Sequence, residues 1–208
     1  MSTPEATPPL RADARRNRDA ILTAARQVFA DEGLGAPLDR IAKLAEVGRA
    51  TLYRRFPTRE DLVRAIFQDN LDELEAVAKQ AGDAPGAFLT IFDAAVAQQR
   101  DNLGIIELFT RPQPATDEHP DGLEIAAQVR VPWSEIIREP LARAQAAGLV
   151  RDDLEPEDTG ALLVMTGALA AGSRGRPEAE LRYTRILQLL RDAVAPAGGT
   201  HPLDPAAG

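Results

Sequence analysis

Between positions 49 and 59 the chain sets out Arg49, Ala50, Thr51, Tyr53, Arg54, Arg55 and Arg59, a run rich in planar cations and hydroxyls. Arginine pairs in a fork with the O6 and N7 edge of guanine, threonine touches a base or a phosphate, and a tyrosine hydroxyl donates to a phosphate. The chemistry on offer is recognition of duplex DNA rather than a reaction. Arg40 and Lys43 lie just upstream, and Arg15, Arg16 and Arg18 precede the first apolar stretch, where they could grip a flanking phosphate or the minor groove. Arg59 falls at the start of a helix, where exposed amides already favour an anion. For any one of these residues taken singly, a solvated helix face is the bland alternative.

Other chemistry finds little support. The chain has no cysteine, which excludes disulfides, thiolate metal sites and cysteine nucleophiles together. His119 sits in a proline-rich stretch and His201 in the tail, neither with a partner at metal-ligand spacing. Asp152, Asp153, Glu155, Glu157 and Asp158 form one dense acidic cluster, best read as carboxylates complementing a helix start. There is no GxxxxGK[ST] phosphate loop and no GxGxxG element. No catalytic residue, metal site or cofactor is expected.

The elements that must position the basic run follow from periodicity. Ile21, Leu22, Ala25, Val28 and Phe29 recur on one face of a helix that starts near Arg11 and ends at Gly33. Leu38, Ile41, Ala42 and Ala45 mark a short second helix with Pro37 at its first turn, and Glu46-Val47-Gly48 is a tight connection. A third short helix spans Arg49 to Phe56 and stops before Pro57. Short helix, tight turn, short helix suits the major groove, which is about 12 Å wide and admits one helix while another braces it. Ala42 supplies the small residue where the two cross, Val47 and Leu52 point inward, and Ile41 and Phe56 tie the unit to the first helix.

Beyond it, Thr58 caps a fourth helix, with Asp61 placed as in a capping box, and Leu62, Ile66, Leu71 and Leu74 form its stripe to about residue 80. Helices are expected near 87–103, 104–110, 123–147, 156–172 and 178–194, with Pro132 and Pro140 kinking or dividing the long one. No strand alternation occurs. The fold class is all-α with about nine helices, divided into a lead-in at 1–10, a DNA-binding unit at 11–60, a regulatory and dimerisation unit at 61–195 and a tail at 196–208.

Charge follows the same division. The 208 residues carry a net −8, yet residues 1–60 hold 11 Lys+Arg against 8 Asp+Glu, a net +3, and the remaining 148 hold 13 against 24, a net −11. Phosphate binding responds to a local basic face rather than to the total. No apolar run approaches the ~20 residues of a membrane span and no signal peptide is seen, so a cytoplasmic protein without membrane partners is expected.

The segment IAKLAEVGRATLYRRFPTREDLVRAIF, preceded by RRNRDAILTAARQVFADEGL, closely resembles the DNA-binding domain of the TetR/AcrR family of bacterial regulators. The agreement runs over about 60 residues through Ile41-Ala42, Ala45, Val47, Thr51-Leu52-Tyr53, Phe56 and Arg59-Glu60-Asp61-Leu62. Three positions depart from the family pattern: Glu46 stands where glycine is usual, Gly48 replaces a frequent Ser or Thr cap, and Pro37 replaces a common Thr. The resemblance implies a repressor of an inverted-repeat operator on double-stranded DNA, a homodimer joined by its last two helices, and release by an unknown small-molecule effector.

The residues are compatible with that implication. Leu163, Gly167, Ala171, Ile186, Leu189 and Leu190 are candidates for the dimer interface, with an ordinary internal core as the alternative. Phe88, Phe92, Phe109, Trp133 and Met165 could line a ligand cavity, with Gln99 and Arg130 as polar anchors, although such residues more often simply pack. The competing readings are a ligand-independent regulator, and a helical ligand-binding protein or enzyme whose helix-turn-helix is vestigial.

Overall fold

A first helix, α1, runs Pro9–Glu32 and stops where Gly33 takes φ 78° and donates its N–H to Phe29 at 3.0 Å. Only glycine enters that left-handed region without steric cost, so the expected end at Gly33 holds. The start lies two residues earlier than expected, at Pro9. The computed structural model describes residues 9–101, 122–173 and 176–196, with side chains described at 13–99, 132–173 and 176–196. The lead-in at 1–8, the expected helix at 104–110 and the tail from 197 lie outside the described residues.

α2 (Leu38–Leu44) and α3 (Arg49–Arg55) follow, then α4 (Arg59–Ala81), α5 (Ala87–Asp101), α6 (Gly122–Ala146), α7 (Pro156–Ser173) and α8 (Pro177–Val194). Among the described residues there are eight helices and no strand. Pro132 and Pro140 both lie inside α6, which the structure shows as one unbroken helix close to the expected 123–147, so of the two expected effects, a kink or a division, the division does not occur. Each proline removes one ladder bond. Trp133, Ile137, Leu141 and Ala144 around them are buried in a common core, and that packing keeps the helix whole.

Two apolar cores are built on one shared helix. The first gathers Ile21, Leu22, Val28 and Phe29 of α1, Ile41 and Ala42 of α2, Leu52, Phe56, and Leu62, Val63 and Ile66 of α4. The second gathers Leu74 near the far end of α4, Phe88, Ile91 and Phe92 of α5, Trp133 and Ile137 of α6, and Val194 of α8. The unit boundary expected at residue 60 therefore falls inside the first core, which continues to Ile66. The start of α4 is set by Thr58 and Asp61 in a reciprocal capping box, each side chain meeting the other's backbone N–H at 3.1 Å.

Between the cores α4 carries a set of polar groups beside the buried Leu71. Asp69 meets Arg26 at 2.7 Å and Arg18 at 3.1 Å, both on α1, while Arg26 also donates to Asn70 at 3.1 Å. From the other side Gln98 of α5 donates to the Asn70 carbonyl at 3.3 Å and to Glu73 at 2.8 Å. This seam fixes α1 and α5 against the middle of α4. No helix among the described residues is long and apolar enough to cross a membrane.

Candidate nucleic-acid interface

The turn before α3 is closed by backbone bonds. The Val47 N–H reaches the Ala42 carbonyl at 3.0 Å and the Glu46 N–H reaches Lys43 at 3.3 Å, the paired pattern of a Schellman motif. That motif requires a left-handed residue at its centre, and Glu46 provides it with φ 54°, the one non-glycine among the described residues with positive φ. Val47 is thereby turned onto the first core and α3 begins at once. Gly48 occupies the cap position with extended φ −66° and ψ 143° and has no side chain to offer. Pro37 likewise sits one residue before α2 and gives it no side-chain cap.

α3 then divides cleanly. Leu52 and Phe56 are buried, as are Ile41 and Ala42, and Val47 packs half-buried against the same core. Arg49, Ala50, Tyr53, Arg54 and Arg55 are exposed on the opposite face and Thr51 is half-buried. Lys43 and Arg40 are exposed on α2. The candidates on α2 and α3 thus face solvent, Thr51 in part, and the Arg49–Asp39 contact brings the two helices together at the start of α3.

Their electrostatic states differ in ways that sequence spacing does not show. Arg40 pairs with Glu32 at 2.8 Å, Arg49 with Asp39 at 2.8 Å, and Arg16 with Asp13 one turn away. The Arg49–Asp39 contact is close in distance but not aligned as a hydrogen bond, so it acts as an ion pair. Lys43, Arg54 and Arg55 have no carboxylate within ion-pair distance among the described residues. The exposed Arg40 and Arg16 pairs contribute about 0–1 kcal/mol, so a phosphate can exchange with them readily, whereas the Asp39 oxygen facing Arg49 is shielded from solvent.

Two expected contacts are placed elsewhere. Arg59 turns inward: its guanidinium donates to the Leu34 carbonyl and lies over the Phe29 ring at 5.8 Å from the centroid. Burial pushes its pKa down, against the opposing influence of Glu60 and Tyr53. It ties α4 to α1 rather than facing solvent with α3. Arg18 is similarly engaged with Asp69. Asp39, which no motif singled out, is the residue that sequence reasoning missed; its proximity to Arg49 comes from the crossing of two helices.

In the second core, Phe88 and Phe92 are buried with ring centroids 5.8 Å apart. Trp133 is buried with its indole N–H donating to Thr159 Oγ1 at 2.9 Å. Gln99 donates to the Leu163 carbonyl, and its own carbonyl accepts from Thr166 Oγ1 at 2.8 Å, so it bridges α5 and α7. Met165 departs from the expected cavity lining: it is 58% exposed on α7. Phe109 and the Arg130 side chain lie outside the described residues. Of the interface candidates, Leu189 and Ala171 are exposed, Leu163, Ile186 and Leu190 are half-buried, and Gly167 is buried within the chain. Val164, Leu169 and Leu181 add exposed apolar surface on α7 and α8 that was not expected.

Residues 21–66 match the family described as "Bacterial regulatory proteins, tetR family", and residues 83–196 match the "Transcriptional regulator SbtR-like, C-terminal domain". The HTH-type transcriptional repressor LfrR of Mycolicibacterium smegmatis is 37% identical over 139 residues, 66% of this chain and 70% of that protein. Among solved structures, a TetR transcription regulatory protein from Mycobacterium vanbaalenii is 30% identical with TM-score 0.62, covering 90% of this chain and 99% of that one. The regulator SCO0520 from Streptomyces coelicolor is 28% identical with TM-score 0.59, covering 87% and 99%. Both halves of the chain are thus accounted for by one group of proteins, and the chain belongs to the TetR family of helix-turn-helix transcriptional regulators.

Proposed function

We propose that the protein is a cytoplasmic repressor that binds an inverted-repeat operator as a homodimer and is released by a small-molecule effector held in its C-terminal region. The observation that carries the DNA reading is the division of α3, whose buried Leu52 and Phe56 leave Arg49, Ala50, Tyr53, Arg54 and Arg55 together in solvent. Thr51 on α3, Arg40 and Lys43 on α2 and Arg16 on α1 would contact phosphate. Arg59 would support α3 from behind. One helix reads one half-site, so two copies are needed to span successive major grooves about 34–36 Å apart.

The second copy has a surface to meet. Met165 at 58%, Leu181 at 73% and Leu189 at 55% exposure leave a large apolar area open on α7 and α8. We assign the DNA-binding unit to residues up to Ile66 and the regulatory unit to the remainder of α4 through α8. Effector release would act as a shift between two body conformations, no larger than the effector's preference for one of them. The reading involves no catalytic step and no cofactor.

In vitro selection of bound sequences from random duplex DNA at physiological salt tests it. An inverted repeat should be enriched. Tyr53→Ala and Arg54→Ala should each weaken binding to that sequence by about tenfold, with oligomeric state and melting unchanged. Undiminished affinity in both variants would remove the role given to this face.

A further inference from the structure

We propose that Asp39 is a specificity-determining residue: from α2 it positions Arg49, the first residue of α3, to read a guanine in each half-site. The inference rests on the DNA-reading role of α3 and names a residue outside the reading face that sets what the face selects. Asp39 Oδ1 lies 2.8 Å from Arg49 Nε, and that oxygen is itself shielded from solvent. The Arg49 side chain is otherwise 70% exposed. Contact through Nε leaves both terminal amino nitrogens for another acceptor, and arginine meets the O6 and N7 edge of guanine in a two-pronged fashion.

Position and cost both favour this role. Residues at the beginning of a recognition helix come nearest to base edges. A long unrestrained arginine there must surrender much rotational freedom when it binds, and an ion-paired carboxylate beside its stem removes part of that cost in advance. Arg54 and Arg55, further along α3, have no such partner among the described residues, and Arg59 is turned inward. Asp39 also places a negative charge beside a surface meant for phosphate, which a purely electrostatic design would avoid. The competing role is local: Asp39 lies in the first turn of α2, whose preceding Pro37 gives no side-chain cap, and a carboxylate there complements the helix dipole.

The two roles predict changes in different observables. The full-length chain and its Asp39→Ala, Asp39→Asn and Arg49→Ala variants would each be put through selection from random duplex DNA, with affinities then measured on the selected and on non-specific duplexes. Asp39→Ala should flatten one guanine column in each half-site, by about tenfold in discrimination, while non-specific affinity stays level or rises because a negative charge has gone. Arg49→Ala should erase the same column, and adding Asp39→Ala to it should change that column no further. Asp39→Asn keeps the shape without the charge and should give the same flattening should the alanine variant fold poorly. An unchanged column in folded Asp39→Asn, or a uniform loss across all columns with a lowered melting temperature, overturns the proposal and leaves Asp39 as a helix-start residue. If the unaltered protein enriches no sequence at all, the DNA-reading role of α3 falls and the Asp39 role with it; an enriched motif that ignores Asp39 removes only the latter.

Discussion

Glu46 holds a left-handed backbone because the chain has to reverse between α2 and α3 within four residues while still satisfying the last carbonyls of α2. A side chain in that conformation brings its Cβ against its own carbonyl, at a cost of roughly 1 kcal/mol. Glu46→Gly should therefore stabilise the protein by about 1 kcal/mol in chemical denaturation, part of it offset by the greater freedom of glycine in the unfolded chain. Inward residues such as Leu52 and Phe56 were legible in the sequence because their spacing alone turns them from Arg54 and Arg55. Arg59 was not. Its position at a helix start suggested an anion, but the acceptor it finds is the Leu34 carbonyl, brought near by the packing of α4 on α1. Asp39 was hidden for the same reason, since a contact between two helices leaves no local pattern.

The seam across the middle of α4 makes the relation between its neighbours dependent on charge. Burial raises the pKa of Asp69, but hydrogen bonds and attraction from Arg26 and Arg18 outweigh it, and the net direction is below the ordinary carboxylate value. A carboxyl with a depressed folded-state pKa contributes stability that is complete above its unfolded pKa of about 4 and is lost as pH falls through the lower folded value. Asp69→Asn should destabilise the protein at pH 7. Its difference from the unaltered chain in denaturant melts should shrink steadily on acidification below about pH 4. A difference independent of pH would separate the seam's stability from the charge on Asp69. The helices joined here were readable from apolar periodicity, including the capping box that starts α4. The seam was not, since Asp69 and Arg18 are 51 positions apart. For α6 the sequence left a kink or a division open, because proline's local penalty is visible there whereas the core that holds the helix together is not.

For the molecule as a whole, the apolar area left open on α7 and α8 is the feature that one chain does not satisfy. Met165→Asp combined with Leu189→Asp should give a monomer by sedimentation, with helical content retained and affinity for the full inverted repeat reduced to that of a half-site. A dimer that survives both changes would place the interface elsewhere. The all-α class and the two-part plan were legible from periodicity and from the charge split. The faces of α7 were not. Its stretch from Gly160 to Gly172 is small or apolar nearly all round, so no stripe marks which side meets α5 and which meets solvent; Gly167 proved internal and Met165 external. The sharing of α4 by both cores carries a thermodynamic consequence as well. Melting the portion of the helix in one core is expected to fray the portion that completes the other, so that protection gained at one end should be felt at both. A molecule bound in the body at 100 times its dissociation constant adds about 2.7 kcal/mol to the folded state, and through α4 that increment reaches the helix-turn-helix. Release from DNA would then coincide with a reading head more resistant to heat, its grip lost through geometry while its fold is reinforced.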